Sequence, residues 1–243
     1  VYVVLRRMSY IGHGLSHAIF GGAVLSYVMN VNFFVGAGLW ALFAGFLIHL
    51  TSHRRWVGAD AAIGVVTTSS FALGVAIVST YRSFTRNIEA ALFGNILGIT
   101  QKDLWIVVII SLIVFAALIV MRRQLLFATF DPEVASAYGV STGKIDLLFI
   151  TLLAVTVLAS TQILGVTLVA AAMVIPPVIA RYLTNRFQRL LILSPIIGIL
   201  CGAAGMYLSF YLDVSSAATI VLTAAALFLF LEIFFWFRRQ RRT

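Results

Sequence analysis

Residues 104–121 read LWIVVIISLIVFAALIVM, and Arg122 and Arg123 follow immediately. The run holds no charged side chain, and as an α-helix it rises about 27 Å, close to the ~30 Å thickness of the hydrocarbon layer of a bilayer. In lipid a backbone has to satisfy its own hydrogen bonds, which a helix does within one segment. The stretch therefore predicts a transmembrane helix that ends at a basic cluster.

The rest of the chain repeats this pattern. Of its 243 residues, 62% are hydrophobic and 10% are charged, whereas soluble domains are roughly half apolar and about a quarter charged. Seven further apolar runs are long enough to span a membrane: 14–30, 33–51, 61–80, 145–163, 166–184, 190–211 and 217–237. Val1 to Leu5 have the character of the tail of another span, so we expect a truncated chain of about nine spans in its intact form. We predict an all-α polytopic protein with one transmembrane domain over residues 1–243.

The basic residues are unevenly divided between the two ends of these spans. Alternating sides along the chain puts fourteen on one side and three on the other. The larger group is Arg6, Arg7, Arg54, Arg55, Arg122, Arg123, Lys144, Arg181, Arg186, Arg189, Arg238, Arg239, Arg241 and Arg242; the smaller is Arg82, Arg86 and Lys102. Excess Lys and Arg mark the cytoplasmic side, which predicts a cytoplasmic C-terminus. Because the charges form short clusters at helix ends and no single basic face, we expect no nucleic-acid partner.

Several classes of function are excluded by residue types that are missing from the sequence. Cys201 is the only cysteine, so an internal disulfide framework and a thiolate metal cage are ruled out. The sequence has no Gly-rich phosphate loop, no nucleophile with an adjacent base and no paired carboxylates. We therefore expect neither an enzyme nor a permanently bound cofactor, and any ATP hydrolysis has to come from a separate chain.

Two connections between spans are longer than a turn. The cytoplasmic segment 127–146 contains Asp131-Pro132, a helix start with Pro in the first position, and Gly139, a typical helix end. We predict a short cytoplasmic helix at about 131–139. The outside segment 81–103 mixes charges with a short amphipathic piece and is expected to lie at the membrane interface.

Two pairs of histidines are spaced four residues apart, His13 with His17 and His49 with His53. On a helix this spacing puts both imidazoles on one face, where neutral ring nitrogens can share a first-row metal ion. His17 lies about 15 Å beyond Arg7 at helical rise, in the middle of the bilayer, where a polar side chain indicates a pathway or a bound ion. Hydrogen-bonded packing is the alternative for this pair. It is the preferred interpretation for His49 and His53, at the basic cytoplasmic end of a helix.

Other polar or helix-breaking residues are weaker candidates for a pathway. Ser16 lies between the first two histidines, and Asp60 follows a cytoplasmic loop, where a helix N-cap is the structural alternative. Pro176-Pro177 has to break the hydrogen-bond ladder of its span, which suits either a pathway or a packing kink. Glu232, near the inner end of the last span, is expected to extend to the membrane surface.

Two other functions fit some of these residues. A b-type haem electron carrier would use His17 and His49 as axial ligands on neighbouring helices, although their predicted depths in the membrane differ. A secondary transporter that moves metal without an ATPase is the other alternative.

Over almost its whole length, the chain resembles the membrane permease subunits of bacterial ABC importers for zinc, manganese and iron(II). The resemblance is strongest at residues 5–18, LRRMSYIGHGLSHA, which are similar to the family pattern RRMSxIGDALSHA. Four further stretches support it: 60–64 (DAAIG), 92–98 (LFGNILG), 130–140 (FDPEVASAYGV) and 165–181, from GVTLV to PPVIAR.

The resemblance implies a homodimer in the bacterial plasma membrane, with two cytoplasmic ATPase subunits and an extracytoplasmic metal-binding protein or lipoprotein that delivers the ion. In this family the Asp and His of GDALSHA are associated with the metal, and these positions are His13 and His17 here. The Asp position is therefore a departure, since a nitrogen ligand replaces an oxygen ligand. The resemblance also implies that the short cytoplasmic helix docks on the ATPase. Its residues are Asp131, Glu133, Ala135, Tyr138, Gly139 and Val140.

Overall fold

A computed structural model describes residues 1–6, 8–52, 58–80, 94 and 96–240. Ten helices lie within these ranges, with a 3₁₀ turn at Ile96–Gly98 between the fourth and the fifth. They are α1 Tyr2–Leu5, α2 Ser9–Val28, α3 Phe33–Ser52, α4 Ala59–Thr80, α5 Gln101–Val120, α6 Arg122–Phe130, α7 Pro132–Ala137, α8 Thr142–Leu183, α9 Phe187–Leu212 and α10 Ser216–Gln240. The prediction of an all-α polytopic chain is confirmed. His53 and most of segment 81–103 lie outside the described residues.

Each of the eight predicted runs overlaps a helix. Among the described residues, six helical stretches are long and apolar enough to cross a membrane: Phe33–Ser52, Asp60–Thr80, Gln101–Val120, Thr142–Thr161, Phe187–Leu212 and Ser216–Arg238. The second part of α8, Leu168–Leu183, is a shorter apolar helix. Helix α2 has the length of a span and carries two histidines, and it is not one of these six.

The chain forms two compact units, Tyr10–Val169 and Val1–Ser9 with Ala170–Thr243. In the first unit, Phe20 and Val24 of α2 pack with Val166 of α8 in a buried cluster. In the second unit, Ile179 of α8 packs with Ile197 and other residues of α9 and α10. The two histidines of α2 belong to the first unit.

Glycines bring α2 unusually close to α4. A Cβ at Gly14 would lie 2.7 Å from Cγ2 of Ile63 and 2.8 Å from Cγ2 of Thr67, and a Cβ at Gly21 would lie 2.3 Å from the backbone oxygen of Ser70. Only residues without a side chain allow helix backbones to approach so closely. The small residues around His13 and His17 therefore fix α4 against the histidine face of α2.

Helix α8 is interrupted at Gly165, where φ is 77° and ψ is 164°. This backbone conformation is essentially restricted to glycine. The break separates the predicted runs 145–163 and 166–184. Pro176 and Pro177 lie inside the second part of α8, and the backbone keeps helical dihedral angles there. The missing N–H groups of the two prolines leave two helical hydrogen bonds unmade, as the sequence predicts, and a role of the prolines in a pathway or in a packing kink stays a prediction.

Helix α5 begins three residues earlier than hydropathy predicts. The Thr100 side chain accepts a hydrogen bond from the N–H of Asp103, and the Asp103 carboxylate accepts one from the N–H of Thr100. This capping box satisfies two N–H groups that a helix start leaves unpaired. It fixes the end of α5 that carries Lys102.

Candidate metal site

His13 and His17 lie one turn apart on α2, and their imidazoles meet. The two rings are hydrogen-bonded through their Nε2 atoms, which are 3.0 Å apart, and the ring centroids are separated by 4.3 Å in an edge-to-face arrangement. Two nitrogens bound at right angles to one ion, each about 2.1 Å from it, are themselves about 3 Å apart. The pair is thus spaced as two neighbouring ligands of one metal ion would be.

The imidazoles face a cavity of about 230 Å³ between α2 and α4. Its lining residues are Tyr10, His13, Gly14, His17, Ile63, Gly64, Thr67, Thr68 and Phe71. A water molecule occupies about 30 Å³ in the liquid. The cavity is therefore large enough for a metal ion that keeps several of its waters.

The two histidines differ in their surroundings. His13 is exposed, while His17 is half-buried with the ring of Phe71 packed edge-on at a centroid distance of 4.8 Å. The Nδ1 atom of His17 is buried and has no hydrogen-bond partner among the described residues. The Nε2 atoms of the two rings lie 3.0 Å apart, so these two nitrogens are the pair that could share an ion.

Among the residues that the structure describes, no carboxylate or thiolate lines the cavity. Within the described ranges, no group of three or more His, Cys, Asp or Glu residues could hold a metal ion. With the described lining of the cavity, the remaining ligands of an ion would be water or hydroxyl oxygens. The arrangement suits a site that binds loosely and releases its ion, as transport requires.

Ser16 and Asp60 do not line the cavity. Ser16 is fully buried, and its hydroxyl donates to the backbone oxygen of His13 at 2.8 Å. Asp60 is exposed in the first turn of α4. Because α4 begins at Ala59, Asp60 lies inside the helix, and the structural alternative of an N-cap at this position is wrong. A carboxylate there favourably faces the positive end of the helix dipole.

His49 is half-buried on α3, and its backbone oxygen accepts a hydrogen bond from Ser52 at 3.1 Å. Its predicted partner His53 lies outside the described residues. Pro176 and Pro177 are buried in the second unit. A Cβ at Gly198 of α9 would lie 3.8 Å from Cγ of Pro176, which places the first proline near that helix.

Glu232 has a protein partner that its sequence position did not predict. The hydroxyl of Tyr182, on α8, donates a hydrogen bond to its carboxylate, on α10. The residue is exposed near the end of its helix. The hydrogen bond links α8 and α10 within the second unit and stabilises the charge of Glu232.

Helix α7 occupies the predicted cytoplasmic segment, and its sequence determines both of its ends. The side chain of Asp131 accepts a hydrogen bond from the N–H of Val134 at 3.0 Å, and Pro132 takes the first helical position. At the other end Gly139 has φ of 77°, and its N–H donates to the carbonyl of Ser136. A cap and a left-handed glycine together make a helix of six residues that cannot extend in either direction.

The outer face of α7 presents large side chains to solvent. Tyr138 is 84% exposed, and Glu133 is exposed as well. Ala135 is buried, and its carbonyl accepts a hydrogen bond from the N–H of Val140 at 2.9 Å, which closes the end of the helix. The helix therefore buries Ala135 and leaves Glu133 and Tyr138 exposed.

The residues of α4 that line the cavity were not predicted from the sequence. Ile63, Gly64, Thr67, Thr68 and Phe71 follow the spacing of one helix face, at i, i+1, i+4, i+5 and i+8. That pattern was available in the sequence. The pattern points to the site only because α4 faces the histidines, as the close approach at Gly14 and the contact of Phe71 with His17 show.

The ABC 3 transport family matches residues 1–235 of the chain. This chain belongs to that family. The manganese transport system membrane protein MntC of Halalkalibacterium halodurans is 36% identical to it over 227 residues, which cover 93% of this chain and 78% of that protein. The chelated iron transport system membrane protein YfeC of Yersinia pestis is also 36% identical, over 94% of this chain and 77% of that protein. The solved structure of PsaBC from Streptococcus pneumoniae in complex with Fab has a TM-score of 0.84 and 29% identity, over 95% of this chain and 83% of that one.

Membership of the ABC 3 transport family confirms the resemblance based on residues 5–18 and the four supporting stretches. The chain is a multi-pass membrane protein of the plasma membrane and the permease component of an ABC transport system, in which ATP is hydrolysed by a separate subunit. The haem electron carrier with ligands His17 and His49, and the secondary transporter without an ATPase, are inconsistent with this family.

Proposed function

We propose that this ABC 3 family chain is the permease of an importer for a divalent transition metal, and that His13 and His17 bind the ion during its passage. The observation that carries the proposal is the 3.0 Å separation of the two Nε2 atoms at a cavity in a membrane helix pair. Histidines in the apolar part of a span are costly unless they serve an ion or a pathway.

Manganese(II) is the ion that we propose first, with iron(II) as the second. The relatives carry the names of manganese and chelated-iron transport systems. Two imidazoles alone suit zinc(II) and iron(II) at least as well as manganese(II). The oxygen ligands of the ion, which the described carboxylates do not supply, are therefore expected to decide its selectivity.

The working assembly in this proposal is two copies of the chain, two ATPase subunits on the cytoplasmic side and an extracytoplasmic protein that delivers the ion. Helix α7 is the element that docks on the ATPase, because it buries Ala135 and exposes Glu133 and Tyr138. Movement of the ATPase on α7 would open the path from the histidine pair to the cytoplasm, on the side of the C-terminus.

Reconstituted vesicles test the function directly. The chain is inserted together with its ATPase subunits, the binding protein is added outside, and uptake of radioactive manganese(II) is followed with and without ATP. We expect accumulation against a gradient only with ATP and both kinds of subunit. Accumulation by the chain alone would contradict the proposal.

A substitution of His17 by Ala tests the ligand assignment in the same vesicles. Loss of one of two imidazoles should abolish uptake, while copurification with the ATPase subunits remains. His49→Ala is the matched control, since His49 is a half-buried histidine on the neighbouring α3 that does not line the cavity. It should retain uptake. Normal uptake by the His17 variant would overturn the assignment.

A further inference from the structure

The second wall of the cavity, on α4, carries two side-chain hydroxyls, those of Thr67 and Thr68. The hydroxyl of Thr67 donates to the backbone oxygen of Ile63 at 2.7 Å, as Ser70 does to that of Val66 at 2.9 Å. Hydroxyls in helices usually make this bond to the carbonyl one turn earlier. Thr67 is therefore a poor candidate for holding an ion or its waters.

Thr68 differs from these neighbours. It lines the cavity beside both histidines and is exposed. Among the described residues its hydroxyl has no hydrogen-bond partner. A hydroxyl in an apolar membrane helix that makes no bond to its own backbone requires another partner, and the cavity that it lines can supply one.

Gly64 leaves room next to this hydroxyl. It lies one turn before Thr68 on the cavity face of α4, and a Cβ added to it would meet no atom within 4 Å. The space beside Thr68 therefore admits water. Gly14, across the cavity on α2, has no such room, because its Cβ would collide with Ile63 and Thr67.

We propose that Thr68 is a positioning residue for selectivity: its hydroxyl oxygen accepts a hydrogen bond from a water molecule of the metal ion held by His13 and His17. This inference rests on the proposed function and extends it to the choice of ion. Manganese(II) prefers oxygen ligands and keeps its waters, whereas zinc(II) readily accepts few ligands, most of them nitrogen or sulfur. An oxygen that holds the hydration shell therefore favours manganese(II) over zinc(II), and offsets the nitrogen ligand at position 13.

The test measures uptake of manganese(II) and of zinc(II) by the complete reconstituted transporter. Thr68→Val keeps the shape of the side chain and removes the hydroxyl. It should lower manganese uptake about tenfold, the size expected when a partner of a metal's first shell is lost, and change zinc uptake much less. Thr68→Ser restores the hydroxyl and should restore the ratio of the two rates.

Ser69→Ala is the matched control. Ser69 is exposed on the same helix and lies outside the cavity lining, so its loss should leave the manganese-to-zinc ratio at the wild-type value. A Thr68→Val variant with the wild-type ratio would overturn the inference, and so would a Thr68→Ser variant that behaves like Thr68→Val.

A second variant covers the case in which Thr68→Val fails to assemble. Gly64→Ala adds a methyl group to the cavity without a steric clash and should displace water, which lowers the manganese rate more than the zinc rate. An unchanged ratio of manganese uptake to zinc uptake in Gly64→Ala counts against the inference. If His17→Ala abolishes uptake while the Thr68 and Gly64 variants keep the wild-type ratio, only this inference fails. If His17→Ala transports normally, the assignment of His13 and His17 as ligands fails as well.

Discussion

His13 occupies the position that is Asp in the family pattern used for the resemblance, and its imidazole contacts that of His17. Exchange of a carboxylate for an imidazole removes a negative charge and a hard oxygen ligand from the cavity. Imidazole suits zinc and iron, while carboxylate, carbonyl and water oxygens suit manganese. The ion preference of this chain is therefore expected to be broader than that of a relative with Asp at this position.

His13→Asp tests this reasoning at the level of a single side chain. A carboxylate at position 13 should raise manganese(II) uptake relative to zinc(II), because it supplies the hard oxygen ligand that the pair lacks. The measurement is the ratio of uptake rates for the two ions in reconstituted transporter. A ratio that moves towards zinc would contradict the assignment of His13 as a ligand.

At the scale of the helices, Gly14 sets the distance between α2 and α4. Gly14→Ala puts a Cβ 2.7 Å from Ile63 and 2.8 Å from Thr67, so the helices have to separate. Overpacking of this kind costs about 1–3 kcal/mol of unfolding free energy. We expect a lower melting temperature of the purified protein in detergent.

Gly64→Ala is the control for Gly14→Ala, because the same methyl group on the facing helix meets nothing within 4 Å. Its melting temperature should be unchanged or higher, since Ala favours a helix over Gly by up to about 1 kcal/mol. Equal destabilisation by both variants would show that close approach at Gly14 does not hold the two helices together.

The docking role of α7 can be tested with a substitution of an exposed residue at its end, which leaves the fold intact. Tyr138 is 84% exposed, so Tyr138→Ala removes no packing within the chain. If the ring docks on the ATPase, the variant should hydrolyse more ATP for each ion transported. Tyr138→Phe retains the ring and should behave like the wild type. The measurement is the number of ATP molecules hydrolysed for each ion transported. An unchanged number in Tyr138→Ala would argue against docking through this residue.

Local signals in the sequence explain why some elements could be predicted and others could not. Asp131-Pro132 and Gly139 act within a few residues of α7, so its extent follows from the sequence alone. The pattern of Thr100 and Asp103 is equally local, but a search for apolar residues alone overlooks it and starts α5 too late.

The features that could not be predicted from the sequence depend on contacts between distant segments. Gly165 breaks α8, while Pro176-Pro177 does not change its backbone dihedral angles. A Cβ on Gly94 would lie 2.4 Å from the backbone oxygen of Ile163, so the break is packed against a residue about seventy positions earlier. Likewise, Thr68 cannot be identified as a residue of the site from the sequence alone, because its place in the cavity depends on α4 facing His13 and His17. Hydropathy identifies the helices, and packing determines which of their faces form the site.

For the whole molecule, the division of fourteen basic residues against three predicts which ends of the helices face the cytoplasm. The segment with α7 should lie inside, and the turn between α9 and α10, around Ser215, should lie outside. The two serines Ser136 and Ser215 are both exposed, and Cys201 is a buried free cysteine whose removal leaves a background without thiols.

Single cysteines introduced into a Cys201→Ser background test this topology in intact cells. Ser215→Cys should react with a membrane-impermeant maleimide added outside, whereas Ser136→Cys should react only after the membrane is permeabilised. Both substitutions exchange one small exposed side chain for another, so differences in folding should not affect the comparison. Labelling of Ser136→Cys from outside would reverse the orientation of every span. It would place α7 on the side of the membrane that has no ATP, and the docking role of that helix would then be physically impossible.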